Sequence, residues 1–228
     1  MTKVWDKFVP LSKTVINKFR LDDSIAEIEL PPEYEYVGYD FSWKNYMFQS
    51  NKFRRAHIEI VDAMLTKKMW VMHMTIFPYY DDPSPIFGFD VVCGANKITG
   101  AFHDFSKAGE SPVYNWYQNK MAEVSWNKPR ELPDWAKRIF SPNMLAAGNI
   151  GEEDELDKLA NIFIDNLDYY LYNIGNSSED SFIEQHNQYC INQKKNPHTP
   201  AMMVNFGVDK DIFMRFMDDV LFPEYNGN

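Results

Sequence analysis

The chain has 228 residues, of which 45% are hydrophobic and 25% are charged, so its composition is that of a globular protein and excludes a mostly disordered one. Its net charge of −10 disfavours nucleic acid and anionic membrane surfaces as partners. The apolar runs are too short to span a membrane, and the first residues lack the apolar core of a secretory signal. We therefore expect a cytoplasmic, monomeric protein with a single domain over residues 1–228.

Aromatic side chains make up 16% of the chain, and the sequence also contains 12 methionines. Such side chains form hydrophobic cores, but an excess of them also suits the walls of a pocket for a large, flat, conjugated ligand. Two cysteines, Cys93 and Cys190, match neither a disulfide framework nor the spacing of a zinc site. We expect both to be reduced thiols with a structural role.

The first half of the chain predicts one helix followed by a block of strands. Residues 1–20 place apolar side chains on one helical face, and the Pro31-Pro32 pair ends that segment. From residue 33 to residue 106 the chain is rich in β-branched and aromatic residues, with turn signals between the runs. This texture predicts strands near 34–41, 44–49, 53–62, 69–78, 86–94 and 97–105. Connections this short make neighbouring strands mostly antiparallel.

The second half of the chain predicts helices. Residues 152–174 form the clearest one, because acidic residues occupy its first turn and apolar residues then recur at helical spacing. Further helices are predicted over 112–123, 134–140, 179–195 and 209–221. A strand block with helices on both sides in sequence predicts an α+β fold, in the form of a three-layer α/β/α sandwich with a central antiparallel sheet.

Four ionisable residues occupy the predicted central strands: His57, Glu59, His73 and Asp90. A turn centred on residue 66 sets Glu59 opposite His73, and a turn between residues 81 and 82 sets His73 opposite Asp90. Opposite residues share a face, with Cβ atoms about 5 Å apart, so the three form a row across the strands. Burial raises a carboxyl pKa and lowers that of a histidine, which predicts a proton-donating pair near neutral pH. The alternative is a set of solvent-facing residues on the outer side of the sheet.

The same residues allow a metal-binding interpretation. His57, Glu59 and His73 could form a two-histidine, one-carboxylate site for non-haem iron, although this spacing is common by chance. The chain contains neither a glycine-rich phosphate loop nor a dinucleotide-binding motif. A redox enzyme with this sequence must therefore receive its electrons from an outside donor.

A set of short motifs occurs in a fixed order along the chain: Asn51–Glu59, Met72–Pro78, Pro85–Val92, Arg130–Trp135, Gln185–Cys190, Asn205–Gly207 and Val220–Phe222. Together they resemble the ferredoxin-dependent bilin reductases, and most closely the phycocyanobilin:ferredoxin oxidoreductase branch. The resemblance spans roughly residues 40–222. Each motif alone is weak, but the ordered set is specific.

The resemblance implies an α/β/α sandwich that binds the linear tetrapyrrole biliverdin IXα between the sheet and the C-terminal helices, without a metal or a bound redox cofactor. Reduced ferredoxin, a [2Fe–2S] protein, supplies single electrons, and side chains protonate bilin radical intermediates. The catalytic positions that it implies are Glu59, His73 and Asp90. The substrate-binding positions that it implies are His57, Thr99, Asn196 and His198.

Three departures from the family pattern bear on substrate and product. The loop that follows Glu59 is longer than usual. Asn196 is followed by a proline where the family often has an aspartate that donates a second proton. The propionate-binding arginine expected just after Ser141 is absent, with two alanines and a glycine at residues 146–148. The pose of the substrate is therefore left open.

This short chain, rich in Asn, Lys and Asp, resembles compact phage-encoded members of the branch that form phycoerythrobilin with an Asp–His pair. We therefore favour four-electron reduction of biliverdin IXα to phycoerythrobilin, in the cytoplasm of a phototroph or a phage-infected host cell. Glu59 favours the alternative product, phycocyanobilin. A non-catalytic bilin carrier is a further alternative, and it would have no need for the acidic residues.

A plant-type ferredoxin is acidic, as is this chain, so docking requires a local basic patch. The candidate docking residues are Lys67, Lys68, Lys194 and Lys195. Arg54 and Arg55 are neighbours on a strand and should point to opposite faces, so at most one of them is expected to contribute.

Overall fold

The computed structural model describes residues 3–227 and contains one antiparallel sheet of eight strands with helices on both faces. The elements are α1 (Lys3–Arg20), β1 (Ile25–Ile28), β2 (Tyr36–Val37), β3 (Ser42–Ser50), β4 (Phe53–Ala63), α2 (Met64–Lys67), β5 (Met69–Pro78), β6 (Ile86–Gly94), β7 (Ile98–Ser106), α3 (Pro112–Met121), α4 (Asp134–Lys137), β8 (Leu145–Ala147), α5 (Glu153–Asn173), α6 (Ile183–Gln193), α7 (His198–Phe206) and α8 (Lys210–Phe216), and a π-helical turn, Met217–Leu221, follows. The strand order is β1-β3-β4-β5-β6-β7-β8, and β2 also pairs with β3. The predicted α+β sandwich is confirmed. No helix within residues 3–227 is long and apolar enough to cross a membrane.

The first face of the sheet packs against α1, α3 and α5. Side chains alternate along each strand, so Ile58, Met74 and Phe89 all point to this face and are buried in one apolar cluster. Helix α5 contributes Phe163, whose ring stacks on that of Phe89 with centroids 3.8 Å apart. Each such side chain contributes roughly 1.5–3 kcal/mol when fully buried. This cluster is the main hydrophobic core of the fold.

The second face of the sheet is covered by α6, α7, α8 and the π-helical turn. A second apolar cluster joins Trp43 and Phe77 of the sheet to Phe213 and Leu221. The last two belong to residues 210–222, which we call the C-terminal segment. The odd-numbered residues of β4 from Arg55 onward, the odd-numbered residues of β5 and the even-numbered residues of β6 point this way, so the four ionisable residues of the central strands share this face. Both helix layers pack on the same sheet, which supports our proposal of one domain over 1–228.

The structure differs from the predicted elements where tertiary contacts override local pattern. The predicted strand over 34–41 is reduced to β2, because Pro32 begins a short 3-10 helix that occupies the start of the segment. Strands β1 and β8 and helices α2 and α7 were not predicted. Strand β8 has the sequence Leu-Ala-Ala, which carries no strand signal, and it forms because β7 offers a free edge. Helix α7 contains Pro200 in its first turn, which obscured it.

The two cysteines are buried, free thiols, as expected. Burial raises the pKa of Cys190 to about 12, so its reactive thiolate form is suppressed at neutral pH. A structural role for both thiols is therefore consistent with their surroundings.

Tyr170 ties α5 to the sheet through its phenol, which donates to the carbonyl of Pro85 at 2.7 Å in a fully buried setting. We predict that Tyr170→Phe lowers the free energy of unfolding by about 1–2 kcal/mol, because that carbonyl then lacks a donor. Tyr172→Phe is the matched control, since Tyr172 is 81% exposed. Urea denaturation measures both variants, and equal stabilities would contradict the prediction.

Candidate active site

Strands β4, β5 and β6 bring Glu59, His73 and Asp90 into one row. Glu59 pairs with His73, and His73 pairs with Asp90, so both predicted hairpin registers are confirmed. Opposite residues in antiparallel strands have Cβ atoms about 5 Å apart. Glu59 is buried, whereas His73 and Asp90 are partly accessible. The ring of Phe222 lies 6.1 Å from that of His73, so the row faces the space between the sheet and the C-terminal segment.

Two residues of β3 hold the row in place, and the sequence interpretation missed both. The indole N–H of Trp43 donates to Glu59 Oε1 at 2.7 Å. Asn45 Oδ1 lies 3.0 Å from His57 Nε2, so this nitrogen carries the proton if the amide oxygen accepts. Asn45 also pairs with Glu59 across β3 and β4. Extending the hairpin argument one strand further, through the turn after Ser50, would have found them.

Burial controls the protonation of the site. It raises the pKa of Glu59 to about 7, against the opposing effect of the hydrogen bond from Trp43, and the nearby Asp90 raises it further. Burial also raises the pKa of Asp90 to about 7. The same cause lowers the pKa of His73 to about 4 and that of His57 well below its usual value. Near neutral pH the available protons therefore reside on the two carboxyl groups, and the histidines are neutral.

Three buried polar atoms near the row have no hydrogen-bond partner within residues 3–227: His57 Nδ1, His73 Nδ1 and the hydroxyl of Thr75. Thr75 pairs with His57 and lies two residues from His73 on the same face of β5. Buried polar groups are nearly always paired, and an unsatisfied one costs about 1–3 kcal/mol. These three atoms are therefore available to the polar atoms of a ligand that enters this face.

The iron interpretation has no support in this geometry. The rings of His57 and His73 have centroids 6.4 Å apart. Glu59 Oε1 is bound by Trp43, and His57 Nε2 is engaged by an amide. Over the part of the chain that the structure describes, no group of three His, Cys, Asp or Glu side chains is arranged to hold a metal ion.

The other substrate-binding positions that the resemblance implies are Thr99, Asn196 and His198. The hydroxyl of Thr99 donates to the carbonyl of Val92 at 3.1 Å. Asn196 Oδ1 accepts from the backbone N–H of His198 at the start of α7, and the side chain of His198 is exposed. None of these three side chains forms a hydrogen bond with the row, so their contact with substrate stays a prediction.

The proposed docking lysines have different surroundings. Lys67 and Lys68 are exposed at the turn between β4 and β5. Lys194 instead lies between the carboxylates of Asp218 and Glu224, at 2.5 and 2.7 Å, so its charge is largely cancelled. Lys195 is exposed and donates to an asparagine side chain one helical turn earlier.

The expectation that Arg54 and Arg55 point to opposite faces is wrong. A register shift near the start of β4 turns both toward the C-terminal helices. The guanidinium of Arg54 lies 4.7 Å from the ring centroid of Phe77 and 4.4 Å from that of Tyr80. Arg55 donates to the backbone carbonyl of Asp219 at 3.1 Å. Arg55 therefore helps to attach the C-terminal segment to the sheet, and Arg54 lies between Phe77, Tyr80 and His186 of α6, whose Nδ1 is 3.5 Å from its Nη2.

The raised pKa of Asp90 makes the stability of the folded protein depend on pH. Between pH 4 and pH 7 the unfolded chain releases this proton while the folded site keeps it, so the folded protein loses stability as pH rises, by at most ~1.4 kcal/mol per pH unit. We predict that Asp90→Asn removes this loss. The free energy of unfolding of the variant, minus that of the wild type, should therefore rise between pH 4 and pH 7 and stay constant above pH 7.

The buried histidines have lowered pKa values, so they make the stability rise with pH over the same range. The measured quantity is therefore the difference in free energy of unfolding between variant and wild type. Denaturant unfolding at pH 4, 5.5, 7 and 8.5 provides it. Asp23→Asn, at an exposed position, is the control and should show a flat difference. A flat difference for Asp90→Asn as well would contradict the prediction.

Comparison with known proteins identifies the family. The family model for ferredoxin-dependent bilin reductases matches residues 11–223. Phycocyanobilin:ferredoxin oxidoreductase from one strain of Prochlorococcus marinus is 32% identical over 197 residues, which cover 77% of this chain and 75% of the relative. The enzyme of the same name from Trichodesmium erythraeum is 27% identical over 189 residues, 76% of each chain.

Two solved structures share the fold. A protein named PcyX matches with a TM-score of 0.66 and 25% identity, over 96% of this chain and 99% of that one. Tomato phytochromobilin synthase, solved in complex with biliverdin, matches with a TM-score of 0.73 over 92% of this chain and 82% of that one; at 14% identity this likeness concerns the fold alone. The family match and the shared architecture agree with each other. The chain therefore belongs to the ferredoxin-dependent bilin reductase family and is a bilin oxidoreductase that takes electrons from ferredoxin.

Proposed function

We propose that this chain reduces biliverdin IXα to phycoerythrobilin, with four electrons from reduced ferredoxin and four protons delivered through side chains. The observation that carries the proposal is the row of Glu59, His73 and Asp90 beside unpartnered polar atoms on the face between sheet and C-terminal segment. The relatives' names support a bilin as substrate, and a structural neighbour was solved with biliverdin. A bilin carrier would have no use for buried acids held near neutral pKa.

Proton supply follows from the electrostatics of the pocket. Each electron adds negative charge to a ligand held away from water, where an uncompensated charge is costly. A carboxyl group with a pKa of about 7, such as Asp90, can hold a proton at neutral pH and release it to a reduced ligand. His73 lies next to it and can relay the replacement proton, and His57 Nδ1 is free to accept a hydrogen bond from a pyrrole N–H.

The product follows from which acid reaches the ligand. Glu59 is 3% exposed and bound by Trp43, whereas Asp90 and His73 are partly accessible on the same face. This difference supports an Asp–His pair as the working donors and a positioning role for Glu59, which favours phycoerythrobilin. Phycocyanobilin is the alternative, and it requires direct proton donation by Glu59.

The test is anaerobic incubation with biliverdin and reduced ferredoxin, followed by absorbance spectroscopy and chromatographic identification of the product. We predict phycoerythrobilin from the wild type. Asp90→Asn should bind biliverdin yet lose at least about 100-fold in rate, because general acid catalysis contributes on that order. Glu59→Gln should slow the reaction less and give the same product.

The outcomes separate the candidates. Binding without any turnover would support the carrier and overturn the proposal. Phycocyanobilin as the wild-type product, with an intermediate accumulating in Glu59→Gln, would establish the alternative. Asp23→Asn is the control for surface charge and should react as the wild type does.

We further propose that ferredoxin docks near Lys67 and Lys68. These lysines lie at the turn that joins β4 to β5, and Lys68 is five residues from His73, roughly 16 Å along an extended strand. Leu65 in the same turn is 73% exposed and adds apolar area beside the two charges. Lys194, neutralised by two carboxylates, has little charge left for a partner, so the turn is the better candidate.

We predict that the ferredoxin concentration at half-maximal rate rises when Lys67→Glu and Lys68→Glu are combined, and rises with salt in the wild type, because exposed charge pairs are screened over about 8–10 Å. Biliverdin affinity should not change. Lys13→Glu on the exposed side of α1 is the control for net charge. Equal ferredoxin dependence in the double variant and the wild type would exclude this turn as the docking site.

A further inference from the structure

A second line of residues runs beside the row on the same face of the sheet. Thr75, Gly88 and Asp104 pair in register across β5, β6 and β7. Asp104 is two residues from Phe102, which pairs with Asp90, so Asp90 and Asp104 are diagonal neighbours on this face. Such neighbours have Cβ atoms no more than about 7–8 Å apart, within reach of a long side chain between them. A further acid therefore lies close to the proton donor of the proposed function.

Asp104 is buried and held by several hydrogen-bond donors. Ser106 Oγ donates to Asp104 Oδ2 at 2.7 Å, and the backbone N–H of Ser141 donates to the same oxygen at 3.0 Å. The hydroxyl of Ser141 donates to Oδ1. Burial raises the pKa of Asp104 to about 6, although these hydrogen bonds oppose the rise. The carboxyl group of Asp104 can therefore take up and release a proton near neutral pH.

The phenol of Tyr189 lies between the two acids. A Cβ built on Gly88, which pairs with Asp104, would lie 3.5 Å from Tyr189 Oη, and Gly88 is two residues from Asp90 on the same face. Gln193 Nε2 donates to that oxygen at 2.8 Å, whereas the hydroxyl proton has no acceptor within residues 3–227. Burial is the main cause of the raised pKa of the phenol, and Asp104 and Asp90 raise it further. Tyr189 therefore stays a neutral hydroxyl whose proton is free to turn toward either acid.

A cavity open to solvent reaches this line from the side of α3 and α6. It has a volume of about 380 Å³, and its walls include Tyr189 and the two serines that bind Asp104, Ser106 and Ser141. Of the residues within 3–227 that line it, none belongs to the row. Solvent in this cavity therefore reaches Asp90 by way of these side chains and not through the ligand face.

The proposed reduction needs such a supply of protons. It consumes four protons, and the carboxyl group of Asp90 holds only one. The pKa of His73 is lowered to about 4 by burial, so this histidine can pass a proton on but does not store one at neutral pH. A bilin lying over the row would also separate Asp90 from the solvent on that side. Each later proton must then reach Asp90 from within the protein.

We propose that Tyr189 and Asp104 form a proton route from the cavity to Asp90, which reloads this donor between electron transfers. This inference rests on the proposed function. After Asp90 has protonated the reduced bilin, its carboxylate takes the hydroxyl proton of Tyr189, and the phenol oxygen takes a proton from the carboxyl group of Asp104 in the same step. Solvent in the cavity then returns a proton to Asp104 through the hydroxyl of Ser141. Each transfer breaks one O–H bond and forms another, so the buried phenol never carries a charge.

The experiment follows the reduction of bound biliverdin by excess reduced ferredoxin with anaerobic stopped-flow absorbance, in the wild type, Tyr189→Phe and Asp104→Asn. The first spectral phase uses the proton already on Asp90 and should keep its rate. The later phases need a reloaded Asp90 and should slow by at least about 10-fold in both variants, less than the loss of the donor itself because His73 leaves a second path. The double variant should be no slower than Tyr189→Phe, because the two residues act in series.

Imidazole separates a proton route from a structural role. Added at constant pH and ionic strength, it carries protons into the cavity, so it should restore the later phases of Asp104→Asn toward the wild-type rates. It should not restore Tyr189→Phe, because the link to Asp90 is then missing. Asp82→Asn is the matched control, since Asp82 is equally buried and accepts from three backbone N–H groups but lies at the turn between β5 and β6. Imidazole should leave the rates of this control unchanged.

Thermal unfolding of each variant separates loss of fold from loss of proton supply. Unchanged later phases, a first phase slowed as much as the later ones, additive losses in the double variant, or no response of Asp104→Asn to imidazole would each overturn the proton route. The same response of Asp82→Asn to imidazole would overturn it as well. A wild type that binds biliverdin without reducing it would instead overturn the proposed function.

Discussion

Strand register is the constraint on which the site depends. Glu59, His73 and Asp90 come from three strands and meet only because two hairpins pair without a slip. Their strand neighbours point to the opposite face, where Ile58 and Phe89 are buried against α1 and α5. A shift of one residue would place the ionisable groups in that apolar cluster, at a cost of several kcal/mol for each unpaired group. The main core therefore fixes the register, and the register builds the site.

Burial on the second face then lets two carboxyl groups of the site hold protons near neutral pH. Because charge is disfavoured there, the carboxyl groups of Glu59 and Asp90 keep their protons to about pH 7 and His73 stays neutral. Trp43 separates the two acids by bonding one of them and leaving the other accessible. In the proposed function, this asymmetry matches each electron that enters the bound bilin with a proton from one defined donor.

Positive charge, scarce in a chain of net charge −10, is placed at the margins of this face. Arg55 is used to hold the C-terminal segment, and Lys194 is cancelled by carboxylates. In the proposed function the centre of the face stays neutral and able to exchange protons, while these charges stay at its margin. The division has a physical reason: charges at the margin remain solvated, whereas buried ones must be paired or neutral.

The sequence alone determined those features that are encoded in neighbouring residues. The hairpins around residues 66 and 81 have short turns, so turn position and alternation sufficed to align Glu59 with His73 and His73 with Asp90. Tertiary structure decided what local pattern does not contain. The bulge in β4 turned Arg54 and Arg55 to one side, and strand β8 formed only because β7 offered an edge. Likewise, the side chain of Arg130 donates to the backbone carbonyl of Thr99 and packs against Gly148. These contacts join distant segments, so they depend on how the whole chain packs and not on the spacing of nearby residues.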